Sequence, residues 1–307
     1  MTAPILEVKN LTKKFADFTA VDTISFSVLN GEILGLLGPN GAGKTTTIQM
    51  LLGVMQQTTG DITYFGKPFD KYREEILQDV NFSSTYISMP WLFKVSEILE
   101  VYARLYQIPD QKKRIAKLLK EFEIDHLINK RFVMLSAGEK TRLLLTKAFL
   151  NYPKIILLDE PTASLDPEIA VKVREFLKKE KQEYNVSMLF TSHNMSEVEE
   201  MCDRVIILNH GKIIDEDTPE NLARKISECR IELTIIKDTQ KAVALFEGKK
   251  LPYQKQKHRF LFTLKEKAIA DFLQLLAIKD IVYEEIAVNK PSLEDYFLQV
   301  IGEEKHD

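Results

Sequence analysis

Apolar and polar residues alternate along the opening segment of the chain. ILEVKNL, from Ile5, and AVDTISFSV, from Ala20, have the two-residue period of half-buried strands. A turn at Asn30-Gly31 leads into EILGLLG, a short apolar run that is typical of a buried strand. A helical segment at 44–54 follows directly. The pattern therefore predicts two half-buried strands, then a buried strand that feeds into a helix.

Farther along, apolar residues recur at three- and four-residue spacing, which is the period of helices. The spacing predicts helices at 96–107, 111–122 and 136–150, and another that begins at Pro167. Before Pro167, the apolar run KIILLD predicts a buried strand. This part of the chain therefore alternates between the two kinds of element.

The alternation continues through three further segments. VSMLFTS predicts a strand, EVEEMC a helix, and RVIILN with GKIID a hairpin that turns at His210-Gly211. Alternating strands and helices imply a largely parallel sheet with helices on its faces. We therefore predict an α/β fold with a mostly parallel central sheet, an antiparallel β flank and a helical subdomain at about 90–150.

The pattern changes near Thr218. A short capped helix is followed by three strands that alternate with three helices, which predicts a small α+β unit. About eighty residues form only a small core, so we interpret this unit as an accessory domain. The predicted boundary separates a main domain, 1–227, from a C-terminal accessory domain, 228–307.

Composition narrows the range of functions. The chain has 307 residues, 45% of them hydrophobic, and its net charge of -3 gives no electrostatic case for nucleic-acid binding. Cys202 and Cys229 lie outside any CxxC pattern, so we expect reduced thiols. We expect no signal peptide, and no run reaches the roughly 18 apolar residues that cross a bilayer. Any work on a membrane should therefore require a partner.

A glycine-rich loop joins the buried strand to the first helix, and it matches G-x-x-x-x-G-K-[ST]. Its residues are Gly38, Pro39, Asn40, Gly41, Ala42, Gly43, Lys44 and Thr45. Such a loop points backbone N–H groups at phosphate oxygens, and the helix N-terminus favours an anion. We expect Lys44 to reach the β- and γ-phosphates of a nucleotide, Thr45 to hold Mg²⁺ and Thr46 to contact the α-phosphate. The motif predicts a P-loop NTPase fold.

The predicted strand IILLD is followed by a second carboxylate, so Asp159 and Glu160 stand together. An acidic strand end is common at the edge of a sheet, and alone it is weak evidence of a site. Behind a phosphate loop, it predicts that Asp159 holds Mg²⁺ and that Glu160 polarises a water for attack on the γ-phosphate.

The order of motifs resembles the ATP-binding subunits of ABC transporters. GPNGAGKT, LSAGEKTR, IILLDEPT, SLD and TSH follow one another within about 5–226. In that family, the LSGGQ-type sequence caps the γ-phosphate of ATP on a facing subunit. The resemblance therefore implies a homodimer, or a paired ATPase subunit, in which Ser136, Gly138 and Glu139 act in trans.

Two of the residues implied at the dimer interface have a structural alternative. Ser136 with Glu139 forms an S-x-x-E capping box, and a cap and a phosphate site use the same end of a helix. Ala137 replaces the family's commoner Gly. Asp166 matches the family's D-loop at the dimer seam, and it also suits a helix N-cap before Pro167.

Two nucleotide contacts also follow from the resemblance. His193, after the strand VSMLFTS, matches the family's switch histidine, which contacts the γ-phosphate. Phe15 stands where the family stacks an aromatic ring on adenine, although a single Phe after a strand is more often part of the core.

The segment NFSSTYISMP, 81–90, corresponds to the family's coupling loop, which normally carries a glutamine near Mg²⁺ and the attacking water. Ser84 and Thr85 stand where Pro-Gln is usual. We expect the Thr85 or Ser84 hydroxyl to make a water-bridged contact with Mg²⁺ instead, with slower or partner-dependent hydrolysis. Candidates for a permease-facing surface are Tyr86, Met89, Pro90 and Trp91, with core packing of Trp91 as the alternative.

The closing segment PSLEDYFLQVIG, 291–302, is similar to the end of the daunorubicin-resistance and sodium-efflux ATPase subunits. An amphipathic helix with Leu293, Phe297 and Val300 facing inward would give the same pattern. The resemblance implies an ATPase that uses ATP and Mg²⁺, dimerises on ATP and powers a separate ABC-2 type permease, for export. It would lie in the cytoplasm, on the inner face of the membrane. The alternative is an ABC-type ATPase with a non-transport or regulatory role and weak hydrolysis.

Overall fold

The computed structural model describes residues 3–84 and 87–303. The chain divides into two compact units, Met1–Pro219 and Glu220–Asp307. The predicted domain boundary at 227/228 lies a short way after this division.

The first unit carries two sheets with helices around them. Its strands are β1 (Pro4–Phe15), β2 (Phe18–Leu29), β3 (Ile33–Leu37), β4 (Thr59–Tyr64), β5 (Lys67–Pro68), β6 (Val80–Ser84), β7 (Ile155–Asp159), β8 (Ser187–Thr191), β9 (Arg204–Asn209) and β10 (Lys212–Asp217). Its helices are α1 (Lys44–Leu51), α2 (Phe69–Leu77), α3 (Val95–Leu105), α4 (Gln111–Glu121), α5 (Ala137–Ala148), α6 (Pro167–Tyr184) and α7 (Met195–Met201). A short helix, α8 (Pro219–Arg224), spans the division between the units.

The central sheet has the strand order β10-β9-β3-β8-β7-β6. β3 pairs in parallel with β8 and β9, and β7 pairs in parallel with β6 and β8. β10 runs antiparallel to β9, and the turn at His210-Gly211 has φ values of 45° and 78° at these residues, as a two-residue hairpin requires. The predicted α/β fold and the predicted hairpin are both confirmed.

The parallel pairing decides where the polar strand ends lie. The carboxyl ends of parallel strands meet at one edge of a sheet, where ligands of such folds bind. At this edge the phosphate loop follows β3, Ser84 ends β6, Asp159 ends β7 and Thr191 ends β8. The fold therefore gathers side chains that lie far apart in the sequence.

The antiparallel flank, in the order β2-β1-β4-β5, packs on the central sheet. Their shared core includes Leu6 and Tyr64 from the flank and Leu36, Leu157 and Leu189 from the central strands, all fully buried. The flank itself was predicted, but β4, β5 and α2 were not. β4 has only two buried residues, Ile62 and Tyr64, and it is held by its pairing with β1, so its own sequence gives a weak signal.

The second unit contains β11 (Glu228–Thr234), α9 (Thr239–Gly248), β12 (Tyr253–Gln256), β13 (Arg259–Lys265), α10 (Ile269–Ile278), β14 (Glu285–Asn289) and α11 (Leu293–Glu303). Its antiparallel sheet has the order β12-β13-β11-β14, so β11 to β14 form a βαββαβ unit of the ferredoxin-like kind. The prediction omitted β12, because in YQKQ only Tyr253 packs against the core.

A helix that spans a membrane needs about 20 predominantly apolar residues. Over residues 3–84 and 87–303, no helix is both long and apolar enough to span a membrane.

Candidate nucleotide-binding site

The phosphate loop lies between β3 and α1, and its backbone requires glycine at two positions. Gly43 has φ 104°, and a Cβ there would lie 2.6 Å from the Ala20 carbonyl oxygen. A Cβ on Gly38 would lie 2.4 Å from the Leu208 carbonyl oxygen. Both contacts are closer than a carbon atom tolerates, so the loop can pass neighbouring backbone only because these residues lack side chains.

Lys44 begins α1 and turns back over the loop. Its Nζ donates hydrogen bonds to the carbonyl oxygens of Gly38, at 2.5 Å, and Pro39, at 3.0 Å. Burial lowers the pKa of Lys44, and the nearby carboxylates of Glu160 and Asp159 oppose that shift. The Lys44 ammonium group is therefore held against the loop by two backbone carbonyls, near the carboxylates of Asp159 and Glu160.

A cavity of about 700 Å³ opens over the loop. It is lined by residues 39–46 and by Phe18, Ala20, Ile48, Gln49, Leu52, Val54, Phe82, Ser84, Ile87, Asp159, Glu160 and His193. The structure thus brings together the predicted loop residues from Pro39 to Thr46 with both predicted carboxylates and the predicted histidine. Gly38 does not line the cavity, because it lies at the start of the loop against the backbone of Leu208.

Phe15 is not among the residues that line this cavity, whereas Phe18 is. Phe15 ends β1 with 43% of its surface exposed, and the Lys13 ammonium lies 5.0 Å from its ring centroid. Packing of Phe15 in the core is therefore wrong. Its stacking on adenine stays a prediction, and Phe18 is a second candidate for that contact.

Two residues in register with Asp159 hold its carboxylate. Ser84 of β6 pairs with Asp159 of β7, which pairs with Thr191 of β8. The Ser84 hydroxyl donates to Asp159 Oδ2 at 3.1 Å, and the Thr191 hydroxyl donates to Oδ1 at 2.8 Å. Each carboxylate oxygen accepts one hydroxyl and keeps further lone pairs, so Asp159 is oriented and still able to bind a cation.

Glu160 and His193 form a close pair at the open side of the cavity. His193 Nε2 lies 2.6 Å from Glu160 Oε1. Glu160 has φ 52°, in the left-handed region, and its N–H donates to the Thr191 carbonyl oxygen at 3.1 Å. A non-glycine residue in this region is strained, and such strain is often found at functional sites. The same Thr191 therefore fixes both acidic residues.

Glu197 is a residue of this site that the sequence analysis did not identify. It is 3% exposed, and its carboxylate accepts hydroxyl hydrogen bonds from Thr162 and Ser192, both at 2.6 Å. Thr162 follows the Asp159-Glu160 pair, and Ser192 precedes His193. Glu197 thus joins the two loops that carry Glu160 and His193. The pattern N-x-x-E from Asn194, a helix cap, was the available signal.

The signature segment before α5 forms the predicted capping box. Ser136 Oγ accepts from the Glu139 N–H at 3.2 Å, and Glu139 Oε2 accepts from the Ser136 N–H at 2.7 Å. Lys130 pairs with Glu139 at 3.0 Å, and these hydrogen bonds, with the Lys130 charge, lower the Glu139 pKa against the effect of burial. Ser136, Gly138 and Glu139 are not among the residues that line the cavity of their own chain.

Asp166 occupies the N-cap position of α6, and Pro167 is the first helical residue, as predicted. However, within the described part of the chain, the Asp166 side chain makes no capping hydrogen bond. Its carboxylate is therefore not committed to the helix that it precedes.

The coupling-loop predictions have a mixed outcome. Residues 81–84 lie in β6, and Thr85 and Tyr86 lie outside the described residues, so the Thr85 prediction stays a prediction. Met89 is buried, so its predicted place on a surface is wrong. Trp91 is 68% exposed, so its core packing is also wrong.

The fold and the site define a P-loop nucleotide hydrolase. Comparison with known proteins narrows this class. The family model for ABC transporters matches residues 21–163. An uncharacterised ABC transporter ATP-binding protein, YhcH of Bacillus subtilis, is 32% identical over 99% of this chain and 98% of its own length. The bacitracin transport ATP-binding protein BcrA of Bacillus licheniformis is 32% identical over 97% of each chain.

A solved structure of an ATP-binding subunit of an ABC transporter has a TM-score of 0.68 and 26% identity, and it covers 72% of this chain and 92% of that chain. The chain therefore belongs to the ATP-binding proteins of ABC transporters, and it is an ATPase of that family.

The Glu197 contact leads to a first prediction. Replacing Glu197 with Leu leaves the Thr162 and Ser192 hydroxyls without their acceptor, so both loops should lose their alignment. We expect kcat for ATP hydrolysis to fall at least about tenfold, with the affinity for ATP changed less than about twofold, because neither loop is the phosphate loop. Steady-state ATPase kinetics and an equilibrium titration of ATP measure the two quantities.

Glu197→Gln is the matched control, because its amide oxygen still accepts one hydroxyl and should restore part of kcat. A folded Glu197→Leu protein with wild-type kcat would contradict a positioning role. Thermal unfolding monitors the fold, since an unsatisfied buried polar group costs about 1–3 kcal/mol.

Proposed function

We propose that this ATPase works as a dimer that closes on two ATP molecules and drives a separate membrane permease. The observation that carries the proposal is that the predicted site residues of one chain do not all line the same cavity. Lys44, Asp159, Glu160 and His193 surround one cavity, whereas Ser136 at the start of α5 lies outside it. This placement supports the proposal that the signature segment serves a γ-phosphate on another copy.

The residues of the cavity suit the phosphates of ATP. The loop presents backbone N–H groups, and the Lys44 ammonium lies beside them to pair with phosphate oxygens. The His193 side chain is 57% exposed, so it is accessible to a second subunit. Phe18 or Phe15 would stack on the base.

The oxygen donors also suit Mg²⁺, which prefers carboxylates and hydroxyls together with substrate phosphates. The Thr45 hydroxyl and the Asp159 carboxylate would hold the ion, with Asp159 oriented by Ser84 and Thr191. When bound, the ion would neutralise charge on the β- and γ-phosphates. Ser84 thereby takes over part of the role of the glutamine that this chain lacks.

Glu160 is the proposed general base. Its carboxylate would accept a proton from the attacking water, and its backbone is fixed by Thr191. His193 would hold Glu160 through the 2.6 Å contact and would touch the γ-phosphate from the same side. The signature Ser136 of the facing chain would complete the site, together with the facing Asp166.

An exposed apolar patch is the proposed contact with the permease. Trp91, Leu92, Phe93 and Val133 expose between 44% and 71% of their surfaces. They form one surface, because the Val133 N–H bonds the Trp91 carbonyl and the Phe132 N–H bonds that of Phe93. Contiguous apolar surface of this kind marks interaction sites. In the sequence, the residues of the patch lie between the coupling loop, 81–90, and the signature segment that begins at Leu135.

Export is the proposed direction of transport. Relatives named for bacitracin transport and for Nod factor export support it. The segment that carries the resemblance forms the helix α11, which begins with a Ser292-Asp295 cap, and Leu293 is fully buried. Attachment to the inner face of the membrane would follow from binding the permease.

The dimer proposal predicts that Glu160→Gln binds ATP without hydrolysing it. With Mg²⁺ and ATP, this variant should form a stable dimer of about twice the mass of the monomer, and its ATPase rate should fall by at least about a hundredfold. Light scattering after size exclusion measures the mass. Lys44→Ala is the control, since it should stay monomeric under the same conditions. Near wild-type ATPase in Glu160→Gln, or a monomer with ATP bound, would contradict the proposal.

The metal proposal predicts a change in Mg²⁺ dependence for Ser84→Ala. Loss of one hydrogen bond that orients Asp159, a net contribution of about 1 kcal/mol, should raise the Mg²⁺ concentration for half-maximal ATPase about fivefold. Ser83→Ala is the matched control, because Ser83 is also buried on β6 but has no bond to Asp159. An unchanged Mg²⁺ curve for Ser84→Ala would show that Ser84 plays no part in holding the metal.

The permease proposal predicts that Leu92→Ser with Phe93→Ser reduces the membrane-bound fraction of the chain in cells that express its transporter. The basal ATPase rate should be unchanged, since neither residue lines the nucleotide cavity. Val171→Ser, on an exposed apolar residue of α6, is the control. Quantitative blotting of membrane and soluble fractions measures the effect, and equal fractions for all three proteins would argue against this patch.

A further inference from the structure

A second cavity lies at the opposite edge of the central sheet. Its volume is about 660 Å³, and it shares no lining residue with the nucleotide cavity. Pro153 and Lys154, just before β7, and Val186, just before β8, line it. Because the nucleotide site lies after these strands, the two sites are separated by the length of β7, roughly 15 Å. The volume falls within the range of small-molecule sites.

Glu180 of α6 is the unusual residue of this cavity. It is 7% exposed and faces the cavity, yet its carboxylate accepts no hydrogen bond from residues 3–84 or 87–303. Burial raises the pKa of Glu180, and the charges of Arg114 and Lys117 oppose that effect. Because the Glu180 carboxylate faces the cavity and receives no hydrogen bond from these residues, its oxygens are available as acceptors to a ligand that brings a donor.

Arg114 donates no hydrogen bond to Glu180, and two of its three guanidinium nitrogens bond to backbone carbonyls instead. Its guanidinium donates to the carbonyl oxygens of Phe149, at 2.5 Å, and Leu150, at 3.3 Å. Its central carbon lies 3.8 Å from the ring centroid of Tyr152. These contacts fix Arg114 to the end of α5, and no ion pair within 4.0 Å joins it to Glu180 in the described structure.

The other charged groups of the cavity have partners as well. Lys154 pairs with Asp79 at 2.7 Å, and Glu7 pairs with Lys9 at 3.0 Å. The remaining walls are largely aromatic and apolar. They include Phe65, Tyr152 and Tyr184.

The charge around Glu180 limits the kind of ligand. Arg114, Lys117 and Lys179 act on it as cations, against one further carboxylate, Glu121, so the surroundings would disfavour a cationic ligand. A ligand anion would face the buried Glu180 itself. An uncharged molecule with an N–H donor avoids both costs, and an aromatic ring on that molecule matches the walls.

We propose that this second cavity binds a small, uncharged aromatic molecule that carries an amide or heterocyclic N–H group, which donates to Glu180. The aromatic body would lie between the rings of Phe65, Tyr152 and Tyr184. The proposal goes beyond ATP hydrolysis and transport, because the site has no residue in common with the nucleotide cavity.

Benzamide and N,N-dimethylbenzamide test the proposal on the full chain. They share a ring and a carbonyl, but only benzamide has N–H donors. We expect benzamide to bind with a Kd of about 1 mM, with N,N-dimethylbenzamide at least about tenfold weaker. Saturation-transfer NMR titrations give both values. Saturating Mg²⁺ and ADP should leave the benzamide Kd unchanged, which separates this site from the nucleotide site.

Glu180→Leu removes the acceptor with little change in volume, and it should weaken benzamide at least about tenfold. Glu183→Leu, an exposed position on the same helix, is the matched control and should bind as the wild type does. Tyr152→Asn provides a second variant in case Glu180→Leu does not fold. Tyr152 has φ 53°, which Asn tolerates, and loss of the ring should weaken benzamide about threefold.

Three results would overturn the proposal. The first is no saturable benzamide binding up to about 10 mM. The second is equal binding of the two probes by the wild type. The third is wild-type affinity in a folded Glu180→Leu protein or, if that variant does not fold, in Tyr152→Asn.

Discussion

The lateral register of β6, β7 and β8 is the constraint on which the site depends. It aligns Ser84, Asp159 and Thr191 across three parallel strands, so that two hydroxyls hold one carboxylate. Thr191 also holds the backbone of Glu160 in a left-handed conformation. A shift of one residue in either pairing would separate these groups and turn alternate side chains to the other face. The apolar residues of β7 and β8, which are fully buried, stabilise that register.

The loops beyond these strands depend on a second buried carboxylate. Glu197 accepts hydroxyls from Thr162 and Ser192, and thus links the loop after Glu160 to the loop that carries His193. This link gives a physical route by which a partner at one loop would alter the other.

In the signature segment, the start of α5 serves both as a helix cap and as the proposed phosphate contact. The capping box uses Ser136 Oγ as an acceptor, which leaves the hydroxyl proton free to be donated.

The sequence predicted the features that have a strong local pattern. Examples are the largely apolar strands β3, β7 and β8, the phosphate loop and the hairpin at His210-Gly211. It did not predict β4 and β12, whose positions depend on pairing with β1 and β13 rather than on their own residues. The sequence identified Ser84 only because it stands where the family's Pro-Gln is absent. Its hydrogen bond to Asp159 could not be predicted, because that bond depends on strand register. Glu180 and the fixed orientation of Arg114 are products of tertiary packing, and no local pattern distinguishes them from surface charges. Glu197 has a local signal, the N-x-x-E pattern from Asn194, but its two hydroxyl partners come from tertiary packing.

The central claim is that the site gathered by this register is completed by the signature helix of a facing chain. A structure of the Glu160→Gln variant with Mg²⁺ and ATP tests it most directly, through the distance from Ser136 Oγ to the nearest γ-phosphate oxygen. The account predicts a dimer in which this distance is about 3 Å to the ATP of the partner chain, while Ser136 stays far from the ATP of its own chain. Closed sites in which Ser136 approaches no phosphate, or only that of its own chain, would contradict the account.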